Sequence, residues 1–230
     1  MNVPIIQKYL GGSDVNCVKQ FLNKFNDIVV QQNNFSLFER ILYHPLFTAV
    51  FNEFRNSDIL IKGCRSGNVS ALQWLLNLNI NPRIQDENGM TALMHASLNP
   101  QLLFVVQRLL TINDESRNYV DNKNENALFF AVRNPQAFEE LLAAQINPNI
   151  LNKDRNSILT YCCRNKLYDV VEKLLNKNQV QHIILDLNVV NNEEKTAAMY
   201  LIEDGRSNEF NSFLHTNVNL IILIQEGNLP

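Results

Sequence analysis

The chain has 230 residues, 46% of them hydrophobic, enough to bury a continuous core in one large or two modest domains and too apolar for a disordered segment. Its 20 Lys and Arg stand against 23 Asp and Glu. The formal charge of −3 excludes a broad electrostatic footprint on nucleic acid or on an anionic membrane. The four cysteines, Cys17, Cys64, Cys162 and Cys163, include no C-x-x-C pair, so neither a zinc site nor a dithiol redox motif is expected and a reducing compartment fits.

The N-terminus, MNVPIIQKYLGG, lacks a basic start and a sustained apolar region, and the longest apolar runs, Leu102 to Val106 and Leu220 to Ile224, are too short to span a bilayer. A soluble, cytoplasmic protein is expected, with a nuclear location also open. Asn is over-used while Gly and Pro number only seven each. Because Asn tolerates left-handed backbone, it reads as a stand-in for Gly in turns, a bias without chemistry of its own.

Taken in chain order, IIQKYL and VNCVKQFLNKF flank Gly11-Gly12, and FSLFERIL and LFTAVFNEF flank His44-Pro45. Both predict divergent helix pairs. From Asp58 onward the sequence repeats. INPRIQDENGMTAL starts at Ile80 and INPNILNKDRNSIL at Ile146, two periods of about 33 residues apart. First helices are predicted to begin at Ala92, Ala127, Ile158 and Ala197, each preceded by an Asx residue suited to a tight turn: Asp86, Asp121, Asn152 and Asn191. Second helices with apolar residues at a 3.6-residue period follow, carrying Leu72, Leu75 and Leu76, then Val171, Leu174 and Leu175, then Phe210, Phe213 and Leu214. Gly67, Pro100, Pro135 and Gly205 mark the turns between paired helices.

These residues resemble the ankyrin repeat family, whose units carry D-x-x-G-x-T-P-L-H-x-A-A and later V-x-x-L-L. Asp86, Gly89, Thr91, Leu93, Ala96, Val106, Leu109 and Leu110 fit that pattern, and Asp58 to Leu76 fits a helix pair without its preceding finger. The resemblance implies an all-α, ankyrin-type helical solenoid of stacked helix-turn-helix repeats with short hairpin fingers. It divides the chain into divergent helix pairs over 1–57, ankyrin repeats over 58–216, and a partial repeat or cap helix over 217–230.

Departures from the family pattern carry expectations too. Met94, Phe129, Thr160 and Met199 occupy the position of the family's His, and only Gly89 keeps the finger glycine. Irregular finger tips and a less rigid stack are therefore expected. Leu141 and Leu142 arrive early relative to Leu174 and Leu175, so one helix of that copy must be trimmed. The inserts Asn113 to Tyr119 and Asn178 to Leu185 are expected as variable recognition loops. At the far end, LIILIQEGN reads as a first helix lacking the second helix that should cover it.

Function follows from the resemblance rather than from composition. Family members bind other proteins on the surface formed by finger tips and first helices, and the matching outward positions here are Lys62, His95, Phe130, Tyr161 and Tyr200. Aromatic residues at three of the five are what an anchor-rich surface uses. The finger residues Arg83, Glu87, Lys123 and Asp154 complete the candidate protein-binding surface, although they, like Lys153 and Glu193, also read as ordinary solvated charges. Packing of the three aromatic residues against neighbouring fingers is the competing reading.

No enzyme, cofactor or metal is expected. His95 has no second His or carboxylate at metal-like or catalytic spacing nearby. Cys162 and Cys163 match paired small positions and should be buried and inert, and Trp74 lies on the apolar stripe with Leu75 and Leu76. The expected function is a monomeric scaffold or adaptor with protein partners, no nucleic acid and no membrane. Two alternatives stay open: a small-ligand-sensing ankyrin module, and a structural oligomerisation unit using Leu220 to Ile224.

Overall fold

The computed structural model describes residues 15–42, 45–112, 115–180 and 184–216. It divides into two compact units, residues 1–119 and 120–230, with the boundary at the end of the insert that precedes the Asp121 finger. The first unit contains α1 (Val15–Val29), α2 (Ser36–Leu42), α3 (Pro45–Arg55), α4 (Ile59–Ser66), α5 (Val69–Leu75), α6 (Ala92–Ser97) and α7 (Leu103–Thr111). The second contains α8 (Ala127–Ala131), α9 (Pro135–Ala143), α10 (Ile158–Arg164), α11 (Tyr168–Val180), α12 (Ala197–Glu203) and α13 (Ser207–Thr216). Short 3₁₀ turns at Pro100–Leu102 and Glu115–Asn118 complete the first unit. Among the described residues there is no strand, only an isolated antiparallel bridge between Gln85 and Thr91.

Helix α1 forms because Phe21, Leu22, Phe25 and Val29 fall on one face, and all four are buried. Phe25 stands edge-on to Phe38 and Phe54, each with ring centroids 5.7 Å away, which ties α1 to α2 and α3. Trp74 is half-buried: it stacks on Phe35 at 4.9 Å, and its Nε1–H donates to the Glu39 carboxylate at 3.2 Å. The apolar body of the indole thus packs in the first unit's core while its polar edge stays bonded.

Each later helix pair turns on a residue that stops the first helix. Gly67 does so at φ 68°, its N–H bonding the carbonyls of Gly63 and Cys64, and the Asn68 side chain then caps α5 by accepting from the Ala71 N–H at 3.1 Å. Asn134 caps α9 in the same way ahead of Pro135, while Lys166 at φ 59° takes the left-handed position that Gly205 takes at 65°. The trimmed element is α8, five residues against seven in α10. Within the first unit α4 packs on α6; within the second α10 packs on α12 and α11 on α13. Burial of Leu72, Leu75, Met94 and Leu102 in one unit, and of Leu128, Phe138, Leu174 and Phe213 in the other, supplies the cores, at about 1.5–3 kcal/mol per large apolar side chain.

One loop expectation is corrected. Asn178 to Val180 continue helix α11, because NKNQV contains no Gly or Pro to end it. The LIILIQEGN helix, the segment 217–230 and the IIQKYL helix lie outside the described residues. No helix among the described residues is long and apolar enough to cross a membrane.

Candidate surface of fingers and first helices

The four fingers are built alike. In each, the Asx side-chain oxygen accepts two backbone N–H groups: Asp86 from Asn88 and Met90, both at 2.9 Å; Asp121 from Lys123 and Glu125, both at 2.8 Å; Asn152 from Asp154 at 3.1 Å and Asn156 at 3.0 Å; Asn191 from Glu193 and Lys195, both at 3.0 Å. The Asx backbone closes the same turn twice more, donating to the carbonyl four residues on and accepting from the N–H three residues on. That third residue is left-handed in every copy: Gly89 at φ 76°, Asn124 at 62°, Arg155 at 60° and Glu194 at 59°. The expectation of irregular tips is therefore wrong. Four hydrogen bonds per turn hold the conformation and offset the cost of left-handed backbone, about 1–2 kcal/mol for a residue with a Cβ.

Asparagine also has a chemistry that composition did not disclose. In the second unit the Asn152 amide donates to Glu125 Oε1 at 3.0 Å, and the Asn191 amide to Asn156 Oδ1 at 2.8 Å. The Asn126 amide reaches the Asn147 carbonyl at 2.7 Å, Asn192 the Lys153 carbonyl at 3.1 Å, and Asn124 the Leu151 carbonyl. Backbone bonds from Lys153 N–H to Lys123 O at 2.9 Å and from Asn192 N–H to Asp154 O at 3.0 Å join them. Consecutive fingers are thus stitched together without the family's His.

The five outward positions differ in what they can offer. Phe130 and Tyr161 are half-buried, and Tyr161 stands edge-on to Phe129 with centroids 5.3 Å apart. Burial first, then the nearby Glu125 charge, raises the Tyr161 phenol above its usual range. Tyr200 is buried rather than outward-pointing. Its hydroxyl accepts from the Asn191 amide at 2.9 Å and donates to Glu193 at 2.8 Å, which pulls the ring onto its own finger. His95 is likewise tied down, its side chain 10% exposed and its Nε2 2.8 Å from the 3%-exposed carboxylate of Asp86. A carboxylate does meet His95, contrary to the spacing argument, because the finger folds back over the start of α6. Burial works to raise the Asp86 carboxyl, but His95 and the Met90 and Asn88 N–H groups outweigh it and hold it below its usual range. Lys62 is engaged as well, with Asp27 at 2.7 Å and Asp58 at 3.6 Å.

Of the finger residues, Arg83, Glu87, Lys123 and Asp154 are all exposed. Glu87 pairs with Arg65 at 3.1 Å, and Asp154 with Arg164 at 3.4 Å. Arg164 also bonds Glu193. Sequence reasoning missed both arginines, although each follows a buried cysteine at the same place in its first helix (Cys64-Arg65, Cys163-Arg164). It also missed the nine-residue spacing from the finger Asx to the outward position, which joins Asp86 to His95 and Asn191 to Tyr200. Lys62, Arg83, Glu87 and His95 lie in the first unit; Lys123, Phe130, Asp154, Tyr161 and Tyr200 lie in the second.

Cys64, Cys162 and Cys163 are free and buried. Burial pushes the Cys64 thiol up to about 12; burial, then the Asp204 and Glu209 charges, does the same to Cys163; and Cys162 is raised well above its usual value for the same first reason. Thiols in that state are poor nucleophiles. Among the described residues no group of three His, Cys, Asp or Glu is placed to hold a metal ion.

No curated protein matches the sequence. The family model for ankyrin repeats (3 copies) matches residues 60–150 and 101–184, together more than half of the chain. Ankyrin repeats generally mediate protein–protein interaction, and the family is typically non-enzymatic. With its Asx-anchored fingers and paired short helices in register along that stretch, the chain belongs to the ankyrin repeat family.

Proposed function

We propose that this chain is a non-catalytic cytoplasmic adaptor whose repeats over 58–216 bind one or more partner proteins through finger tips and the exposed faces of first helices. The observation that carries this reading is that two aromatic residues of first helices, Phe130 on α8 and Tyr161 on α10, stay half-exposed in the unit whose fingers carry the exposed charges Lys123 and Asp154. Rigid aromatic side chains lose little conformational freedom on binding and dominate interface energetics, while the surrounding charges set orientation and encounter rate. Tyr200 holds the Asn191 finger of the same unit, and in the first unit His95 holds the Asp86 finger, whose Arg83 and Glu87 offer a comparable charged rim.

The test is quantitative pull-down from cell extract with wild type and Phe130→Ala/Tyr161→Ala. Loss of the bound partners by about ten-fold or more, with an unchanged far-UV spectrum, supports the reading. Undiminished recovery with the double variant removes it.

A further inference from the structure

The last turn of α3 and the segment that leaves α5 border a cavity of about 520 Å³, whose lining includes Asn52, Arg55, Asn79, Ile80, Pro82 and Ile112. Its volume falls within the range of small-ligand sites, about 300–1,000 Å³. The walls are held by bonds of their own. Arg55 donates its Nε–H to the Asn79 carbonyl at 2.9 Å, and its own carbonyl accepts the Asn81 N–H at 2.8 Å. The Asn81 amide donates to Asn56 Oδ1 at 2.7 Å, Asn81 Oδ1 accepts the Arg83 N–H at 3.0 Å, and the Asn52 carbonyl accepts the Asn56 amide at 2.9 Å.

Those bonds consume acceptors and leave donors. Arg65, Arg164 and Arg206 each pair with a carboxylate. Arg55 is half-buried and meets instead the Asn79 carbonyl and the Phe51 ring, whose centroid lies 6.0 Å from its guanidinium carbon, and among the described residues no carboxylate lines the cavity. Arg83 lines it too but is engaged with other groups, so one guanidinium supplies the positive charge on offer. A single positive charge balances a monoanion, whereas a phosphate monoester, at about −1.5 to −2, would stay partly uncompensated. With Nε spent on Asn79, the end-on pair Nη1 and Nη2 is the fork that remains, and its spacing matches the two oxygens of a carboxylate. Ile112, 38% exposed, together with Pro82 and Ile80 gives the cavity an apolar side to its lining.

We infer that this cavity binds a monoanionic carboxylate carried on a small apolar body, the carboxylate accepting two parallel N–H bonds from Arg55 Nη1 and Nη2 and the apolar body resting on Pro82 and Ile112. The Asn52 and Asn79 amides, which line the same cavity, are further donors to the anion. A free carboxylate metabolite and the C-terminus of a partner peptide present this same group. The site lies within the first unit and does not depend on Phe130 and Tyr161.

The probes are N-acetyl-leucine, its neutral amide, isopentyl phosphate as a dianion of similar apolar size, and an acetylated tetrapeptide that ends in leucine with a free carboxylate. Each is titrated into the full chain and read through the methyl NMR shifts of Ile80 and Ile112. The expected result is saturable shifts with N-acetyl-leucine and binding about ten-fold or more weaker for the amide. Asn52→Asp, nearly isosteric at an exposed position of α3 one helical turn before Arg55, sets a carboxylate beside the guanidinium without threatening the fold, and is expected to weaken binding about ten-fold or more. Arg55→Lys keeps the charge, loses the fork and gives a similar loss. Tighter binding of the tetrapeptide than of N-acetyl-leucine supports the site with a protein C-terminus as its source, and equal or weaker binding supports it with a free carboxylate. Four outcomes overturn the proposal: no shifts at tens of millimolar N-acetyl-leucine, equal binding of the amide, tighter binding of the phosphate, or undiminished binding by Asn52→Asp.

Discussion

At the scale of single residues, the finger asparagines and their acceptors decide how the second unit responds to pH. Glu125 is half-buried, accepts from the Asn152 amide, and shares its surroundings with Asp121, Lys123, Asp154 and Tyr161. Burial first, with the Asp121 and Asp154 charges adding to it, raises its carboxyl above the usual range despite the Asn152 bond and the Lys123 charge. A carboxyl raised on folding binds its proton more tightly in the native state, so it removes stability as pH climbs from its unfolded value through its folded one. Glu125→Gln keeps the carbonyl that Asn152 needs and deletes the charge. The variant is therefore expected to be more stable than wild type in urea melts at neutral pH, with the difference vanishing at acid pH, where both forms are uncharged. A variant less stable at neutral pH would mean that the ionised carboxylate strengthens the bond to Asn152 by more than its burial costs.

At the scale of elements, the hairpin α4–α5 shows why small residues sit where they do. Gly63 lies under α5, and a Cβ at that position would stand 2.9 Å from Leu72 Cδ2 and 3.3 Å from Leu75 Cδ1. Gly63→Val is expected to destabilise the protein by about 1–3 kcal/mol through overpacking, measured as a lowered urea midpoint at unchanged slope. In the sequence, Gly63 and Cys64 form a pair of small residues at the place that Cys162 and Cys163 hold in α10. What it did not show was that the neighbour is Leu72, whose side chain fills the space a larger residue would claim. In the same way, periodicity located the second helices, but the turn chemistry differs from hairpin to hairpin: Gly67 and Gly205 are left-handed, Lys166 does the same work without being glycine, and Pro100 and Pro135 start helices after an Asn cap.

For the molecule as a whole, the cores of the two units hold the described thiols out of reach. Cys64 reports on the first unit and Cys162 with Cys163 on the second, and all three are buried with raised pKa values. Labelling with a thiol-specific reagent, mapped by peptide mass spectrometry, should proceed in native buffer only through opening of the unit that contains each thiol, and should accelerate with denaturant. Labelling of Cys162 at the rate of a free thiol in native buffer would contradict the packing of α10. Different rates for Cys64 and Cys163 would measure how far the two units open independently.

The repeat, its period and its helical class were determined by sequence alone, because a buried stripe every three to four residues and an Asx turn ahead of each stripe are local patterns that survive without a partner in view. Phe130 and Tyr161 were placed correctly on first helices by the same logic. Tertiary structure decided what local pattern cannot carry: that Tyr200 and His95 turn back to their own fingers, that asparagine amides tie one finger to the next, and that Arg65 and Arg164 each reach a finger carboxylate distant in sequence. Hydrogen bonds between segments some thirty residues apart depend on which repeat faces which, and that geometry is fixed only when the hydrophobic sides of neighbouring hairpins are packed together.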